Sequence, residues 1–343
     1  MRNTKYTKFV VAAVIYLAFA VYLYRHYFRG FGTLRPQDVF VANTCLAALG
    51  CYVLSRRWVA GFAESLLAGA LYGFGPFTLG LAKFHPTAGL LAAAIPWLFC
   101  PAAFGPNARW RWLRVPFSVL PFLAIVLFFQ LAAHFRLYPV PIQLKLHAAD
   151  VAGLFAPLVA AKRQMTLLGV YHVPLTGLVI GFAMLLAAHR LKIMIILAVA
   201  TILAFCDSIF AVSPIIWLAI SMLGCSIVVG AGMQGLVCAG LSDRKWILVS
   251  AIVMGTLAVA AALAAAPARL GFDTLARPTS GAEPLFAETA KMYALGAITM
   301  AILFFVVRAR LRMHALRLLL LCGTMAMDIF LGARFVIGSI LFA

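Results

Sequence analysis

Charge is scarce in this sequence, and negative charge most of all. Charged residues make up 11% of the 343 positions, against about 25% in an ordinary soluble domain. Nine Asp and Glu stand against 28 Lys and Arg. A soluble domain is excluded at this composition, because there is too little polar surface to cover one. Metal-binding and disulfide signatures are also lacking. The seven cysteines, at 45, 51, 100, 206, 225, 238 and 322, form no Cys-x-x-Cys pair and no Cys/His cluster. Neither a zinc site nor a disulfide framework is indicated by that spacing, and the cysteines read as small core residues. The seven histidines are scattered and offer no facing pair of axial haem ligands, so no cofactor is expected. There is no internal repeat of the kind that marks an inverted-repeat transporter.

What the sequence has in abundance is long apolar runs, 65% of residues being hydrophobic. The runs are about 18 to 25 residues long, enough to cross roughly 30 Å of hydrocarbon as helix. They do not alternate apolar with polar, as the shorter strands of a membrane barrel would. The expected fold is therefore all-α, a polytopic transmembrane helical bundle forming a single integral membrane domain over 1–343. Eleven spans are predicted, at about 9–28, 39–55, 60–82, 87–104, 115–135, 166–188, 193–212, 215–238, 246–266, 291–308 and 318–341. Ala18-Phe19-Ala20 has the form of a signal-peptidase site behind a basic start, and the first run is read as a signal-anchor span.

The net charge of +19 would point to nucleic acid in a soluble chain. Here the basic residues flank the apolar runs, which suits anionic lipid and speaks against nucleic acid. They gather in alternate connections: Arg2, Lys5 and Lys8; Arg56-Arg57; Arg109, Arg111 and Arg114; Arg190 and Lys192; Arg244-Lys245; Arg308, Arg310, Arg312 and Arg317. The positive-inside rule then sets the N-terminus inside and the C-terminus outside. Two outer loops are long. Within 136–165, the stretch His147 to Phe155 is amphipathic and suits a helix lying in the interface. The second loop, 267–290, carries Asp273, Glu283 and Glu288.

Ionisable groups inside spans are costly and are kept for pairing or function. Glu64 lies near the inner end of the third span, Asp207 near the outer end of the seventh, and Asp328 and Arg334 in the eleventh. Asp328 and Arg334 are six residues apart, so they cannot simply pair along one helix face. His26, His85, His134, His147 and His172 fall on the outer side in this topology. A wet outer vestibule holding Asp38, His85, His172 and Asp207 follows as one expectation.

Several stretches taken in order carry a family resemblance. They are Leu46 to Arg57, Ala68-Gly69-Ala70-Leu71-Tyr72-Gly73-Phe74-Gly75, Lys83-Phe84-His85, Ala92 to Leu98, Gly224 to Gly232, and Thr324-Met325-Ala326-Met327-Asp328. This order resembles the bacterial YfhO-like membrane proteins of the GT-C class of glycosyltransferases. The resemblance implies inner-membrane location, a polyprenyl-phosphate-sugar donor and an active site on the outer face. It implies an acidic residue in the first outer loop as base toward the acceptor hydroxyl, and basic outer residues on the lipid phosphate. Asp38 is the matching carboxylate. Arg35, Lys83, His85, His172, Asp207 and Arg334 complete the candidate substrate site, with no metal. The sequence departs from the family in its short first outer loop, its lack of an acidic pair there and its lack of a soluble outer domain. A non-catalytic membrane subunit that has kept the fold is therefore the alternative, with membrane lipids and membrane proteins as partners. A transporter or lipid flippase is the third reading.

Overall fold

The computed structural model describes residues 2–25, 38–58, 61–100, 114–140, 191–238, 243–265, 283–308 and 314–336. The predicted span at 166–188, the interfacial segment of the loop 136–165 and the loop before Glu283 lie largely or wholly outside these residues. Among the described residues the chain is helical and has no strand beyond an isolated bridge between Ile209 and Val212. The helices are α1 (Arg2–Leu23), α2 (Asp38–Trp58), α3 (Phe62–Gly73), α4 (Pro76–Phe84), α5 (Pro86–Leu98) and α6 (Arg114–His134). They continue as α7 (Leu191–Phe205), α8 (Pro214–Cys238), α9 (Asp243–Ala264), α10 (Glu283–Arg308) and α11 (His314–Val336).

The burial pattern is that of a molecule whose solvent is hydrocarbon. Val10, Val14, Leu17 and Val21 stand exposed on α1, Leu123, Leu127 and Leu131 on α6, and Ile252, Val259 and Leu263 on α9. The interior holds Asn43, Thr44, Ser55, Glu64, Ser65 and Thr78. Contiguous apolar surface of this extent marks a membrane-facing molecule. Four stretches are long and apolar enough to cross a bilayer: Tyr6–Leu23, Phe62–Ala82, Pro214–Gln234 and Thr289–Val306. Shorter apolar helices, Pro86–Leu98, Val119–His134, Ile195–Phe205 and Ile247–Leu263, accompany them. These are the helices of a membrane protein. Among the described residues four stretches meet both the length and the apolarity of a crossing, and the predicted span at 166–188 lies outside those residues.

Two of the predicted spans are built differently. The third is not one helix: it breaks at Phe74-Gly75 into α3 and α4. Proline at the first position of α4 explains the restart, since its missing N–H is one that a helix start leaves unpaired anyway. The seventh ends at Phe205, earlier than expected, and Asp207 lies in the turn that follows and not in the helix. That turn closes over Phe210 and Ala211, both at positive φ (55° and 63°), with the Val212 N–H donating to the Ile209 carbonyl at 3.1 Å. Positive φ costs a side-chain-bearing residue roughly 1–2 kcal/mol. Ala211→Gly is therefore expected to stabilise the protein by about 1 kcal/mol, measured as a rise in the unfolding midpoint in detergent.

At the centre, α2, α3, α5 and α8 pack on one another. The seam between α2 and α3 is closed by glycine. A Cβ on Gly73 would stand 2.5 Å from the Thr44 carbonyl and 2.7 Å from the Ala48 nitrogen, and one on Gly69 2.5 Å from the Ala48 carbonyl. Close backbone approach of this kind is how membrane helices associate without a hydrophobic drive between them. Across the seam the Cys51 thiol donates to the Ala68 carbonyl at 3.4 Å. A ladder of rings, Trp58–Phe99–Phe122–Trp217, with neighbouring centroids 6.4, 5.6 and 6.1 Å apart, ties α2, α5, α6 and α8 together.

Candidate functional site

The helix registers decide which residues share an end of the bundle. Thr44 faces Gly73 and Ala48 faces Gly69, so α2 and α3 run antiparallel and the start of α2 is level with α4. Helix α5 doubles back along α4, with Gly89 against Ala82, and the Tyr72 hydroxyl donates to the Ala92 carbonyl at 2.7 Å. Gly230 of α8 packs against Ala68 and the Glu64 carbonyl of α3 and against Ser55 of α2. Phe330 of α11 meets Phe19 at 5.8 Å, and Phe19 meets Phe74 at 4.7 Å, which sets the last turns of α11 level with the α3–α4 break.

By these registers one end of the bundle carries Asp38, the first residue of α2, and Lys83, in the last turn of α4. The same end carries His85 between α4 and α5, whereas Arg334, in the last turn of α11, lies one turn beyond Phe330, nearer the α3–α4 break. Asp207 and Arg334 are exposed and His85 is half-buried. That partial burial lowers the His85 pKa from the ordinary histidine value, since taking the ring out of water disfavours its charged form. The side chains of Asp38 and Lys83, and all of Arg35 and His172, lie outside what the structure describes. Glu64 sits at the opposite end of α3, where its carboxylate folds back over Gly61.

No family model, curated protein or solved structure matches this chain. The geometry therefore carries the functional argument alone.

A feature that hydropathy did not anticipate is the polar lining of the α3–α4 break. Helix α3 has 12 residues and rises about 18 Å, so the break falls deep in the hydrocarbon. Irregular backbone is tolerated there only inside protein or beside a water-filled cavity. Phe74 and Gly75 are indeed buried, and the freed groups find partners: the Thr78 hydroxyl donates to the Tyr72 carbonyl at 2.5 Å, and the Phe74 N–H to the Ala70 carbonyl at 2.8 Å. Asn43, adjacent to Thr44 and level with the break, is 1% exposed, and its amide nitrogen has no acceptor among the described residues. A buried donor left unpaired costs about 1–3 kcal/mol. The dipeptide Gly75-Pro76 is the signal that marks this break in the sequence.

Proposed function

We propose that this chain is a GT-C-like membrane protein that transfers a sugar from a polyprenyl-phosphate donor at the outer face of the bacterial inner membrane. Asp38 serves as base toward the acceptor hydroxyl, and Lys83, Arg334 and Arg35 hold the lipid phosphate, with His85, His172 and Asp207 around the sugar. What supports the reading is that the positions of Asp38, Lys83 and His85 fall at one end of a lipid-facing bundle. A lipid phosphate needs such cations, and a hydroxyl acceptor needs such a base. The test is a transfer assay with the purified protein in lipid nanodiscs and a radiolabelled polyprenyl-phosphate sugar. Label moving from lipid to a hydroxyl acceptor supports the enzyme. Label retained on the lipid, with the protein co-purifying in a larger membrane complex, assigns it the role of a non-catalytic subunit.

One observation favours a second reading, a transporter or lipid flippase. The α3–α4 break is a discontinuous helix at membrane depth, the kind of element around which transporters build their sites. Scrambling of a fluorescent lipid by reconstituted vesicles, faster than in protein-free vesicles, would support it.

The topology proposed with this function has eleven spans, the N-terminus inside and the C-terminus outside. A reporter fused after Ala343 is expected to read as extracytoplasmic and one placed in Arg308–Arg317 as cytoplasmic. Both reading the same side would overturn it.

A further inference from the structure

Two arginines stand beside a ring contact between α1 and α11. The Phe330 ring of α11 lies 5.8 Å from the Tyr22 ring of α1. The Arg25 guanidinium, just past the end of α1, sits over the Tyr22 ring, 4.8 Å from its centroid. Arg334 follows Phe330 by four residues, so it shares that face of α11 and stands about 6 Å further along the helix. The helix directions bring the two cations to one level. The Tyr52 hydroxyl donates to the Lys8 carbonyl at 3.4 Å and the Cys45 thiol to the Tyr16 carbonyl at 3.8 Å, so α1 runs antiparallel to α2 and parallel to α3. Met325 and Ile329 share a buried cluster with Leu67 and Leu71 of α3, and Ala333 shares one with Leu79 of α4, so α11 follows the same direction. Arg25 and Arg334 therefore both lie about one turn past the ring contact, where the apolar stretch Tyr6–Leu23 ends. Both are exposed, and Tyr22 is half-exposed.

Basic and aromatic side chains at the end of an apolar stretch meet lipid headgroups at the edge of the hydrocarbon. The surroundings narrow the partner further. The pair lies on the outside of the bundle, where a lipid of the surrounding leaflet arrives by lateral diffusion. Val11 and Ile15 are exposed on the same face of α1 as Tyr22 and give acyl chains an apolar track beneath the rings. The chain carries 28 Lys and Arg against nine Asp and Glu, so an anionic lipid is its complement in charge. We propose that Arg25 and Arg334 hold the phosphate of one anionic phospholipid of the surrounding leaflet, with Tyr22 and Phe330 beneath the headgroup. A guanidinium has five donors in a planar fork, so Arg25 keeps its place over Tyr22 and still donates to phosphate oxygens. Such charge-assisted bonds are about twice as strong as neutral ones. The site shares Arg334 with the sugar-transfer reading but does not rest on it, because a bilayer lipid binds there whether or not a sugar is moved.

The experiment is native mass spectrometry of the full-length protein in detergent, titrated with phosphatidylglycerol and, separately, with phosphatidylcholine of the same acyl chains. The wild type is expected to retain one phosphatidylglycerol and to prefer it over phosphatidylcholine. Arg25→Gln and Arg334→Gln are each expected to lower that preference about fivefold, the typical contribution of one basic residue near anionic lipid, and the double variant to abolish it. Both side chains are exposed, so the unfolding midpoints should stay at the wild-type value. Arg56→Gln/Arg57→Gln, which removes the same charge from the last turn of α2, should leave the retained lipid in place. A wild type without preference, or a double variant that still retains the lipid, overturns the proposal. Equal loss in Arg56→Gln/Arg57→Gln overturns it too, because net charge alone would then be at work. Displacement of the phosphatidylglycerol by an equal amount of farnesyl phosphate would give the site to a prenyl-phosphate donor and overturn the assignment to a bilayer lipid. A failed sugar-transfer assay leaves the lipid result standing.

Discussion

Asp38→Asn is expected to lower sugar transfer by about 10²–10⁴-fold, the usual worth of a positioned general base. The substitution isolates chemistry from structure because of where Asp38 sits. It is the first residue of α2, and at a helix start asparagine and aspartate are about equally good residues. The amide is nearly the same size as the carboxylate but cannot take a proton from the acceptor. Stability should therefore hold while turnover falls, and the donor's binding should change little. Lys83→Ala is expected to give the opposite split, a raised KM with a smaller change in kcat, because an ammonium on the lipid phosphate holds ground state and transition state alike. Measuring kcat and KM for both variants in nanodiscs decides the matter. An Asp38→Asn protein as active as wild type removes Asp38 from the reaction. Loss of activity together with a lowered unfolding midpoint would assign the residue to the fold.

How much of this was legible in the sequence depends on the scale of the feature. The helical, membrane-facing character is written in composition, because a run of apolar residues reports its solvent directly. Helix ends were legible where proline or glycine stands, as at Pro86 and Pro214. The α3–α4 break was missed because hydropathy averaged over the run from 60 to 82 does not register the backbone turn at Phe74 and Gly75. Asp207 was assigned to a helix because Phe210 and Ala211 adopt a left-handed conformation that their side chains do not advertise. Asn43 was passed over because a single amide in an apolar run hardly changes its hydropathy; only packing shows that its nitrogen is buried without an acceptor. The apolar cluster that joins α8, α9, α10 and α11 was invisible for a different reason. Met233, Met254, Met300 and Met325 sit on four helices, and no local spacing rule joins residues that only tertiary packing brings together.

Adding a single methyl group at two glycines should move stability in opposite directions. At Gly73 a Cβ would press into the Thr44 carbonyl and the backbone nitrogen and Cβ of Ala48, at 2.5, 2.7 and 2.6 Å. These are mostly backbone atoms of a buried helix, and they can yield only if α2 moves away from α3. Such overpacking typically costs 1–3 kcal/mol, and the upper part of that range, about 3 kcal/mol, is expected for Gly73→Ala. A leucine there should prevent folding. Separating α2 from α3 would also disturb the thiol–carbonyl contact between Cys51 and Ala68 and the level at which Asn43 meets the break. At Gly255, in the middle of α9, no neighbouring atom among the described residues stands within 4 Å of the added carbon. The gain there is the ordinary helix preference of alanine over glycine, roughly 0.5–1 kcal/mol. Unfolding of both variants in mixed detergent micelles, followed by circular dichroism, should show Gly73→Ala destabilised and Gly255→Ala stabilised relative to wild type. If Gly73→Ala unfolds with the wild type, the α2–α3 seam is looser than the backbone contacts require, and the level assigned to Asp38 through that seam loses its support.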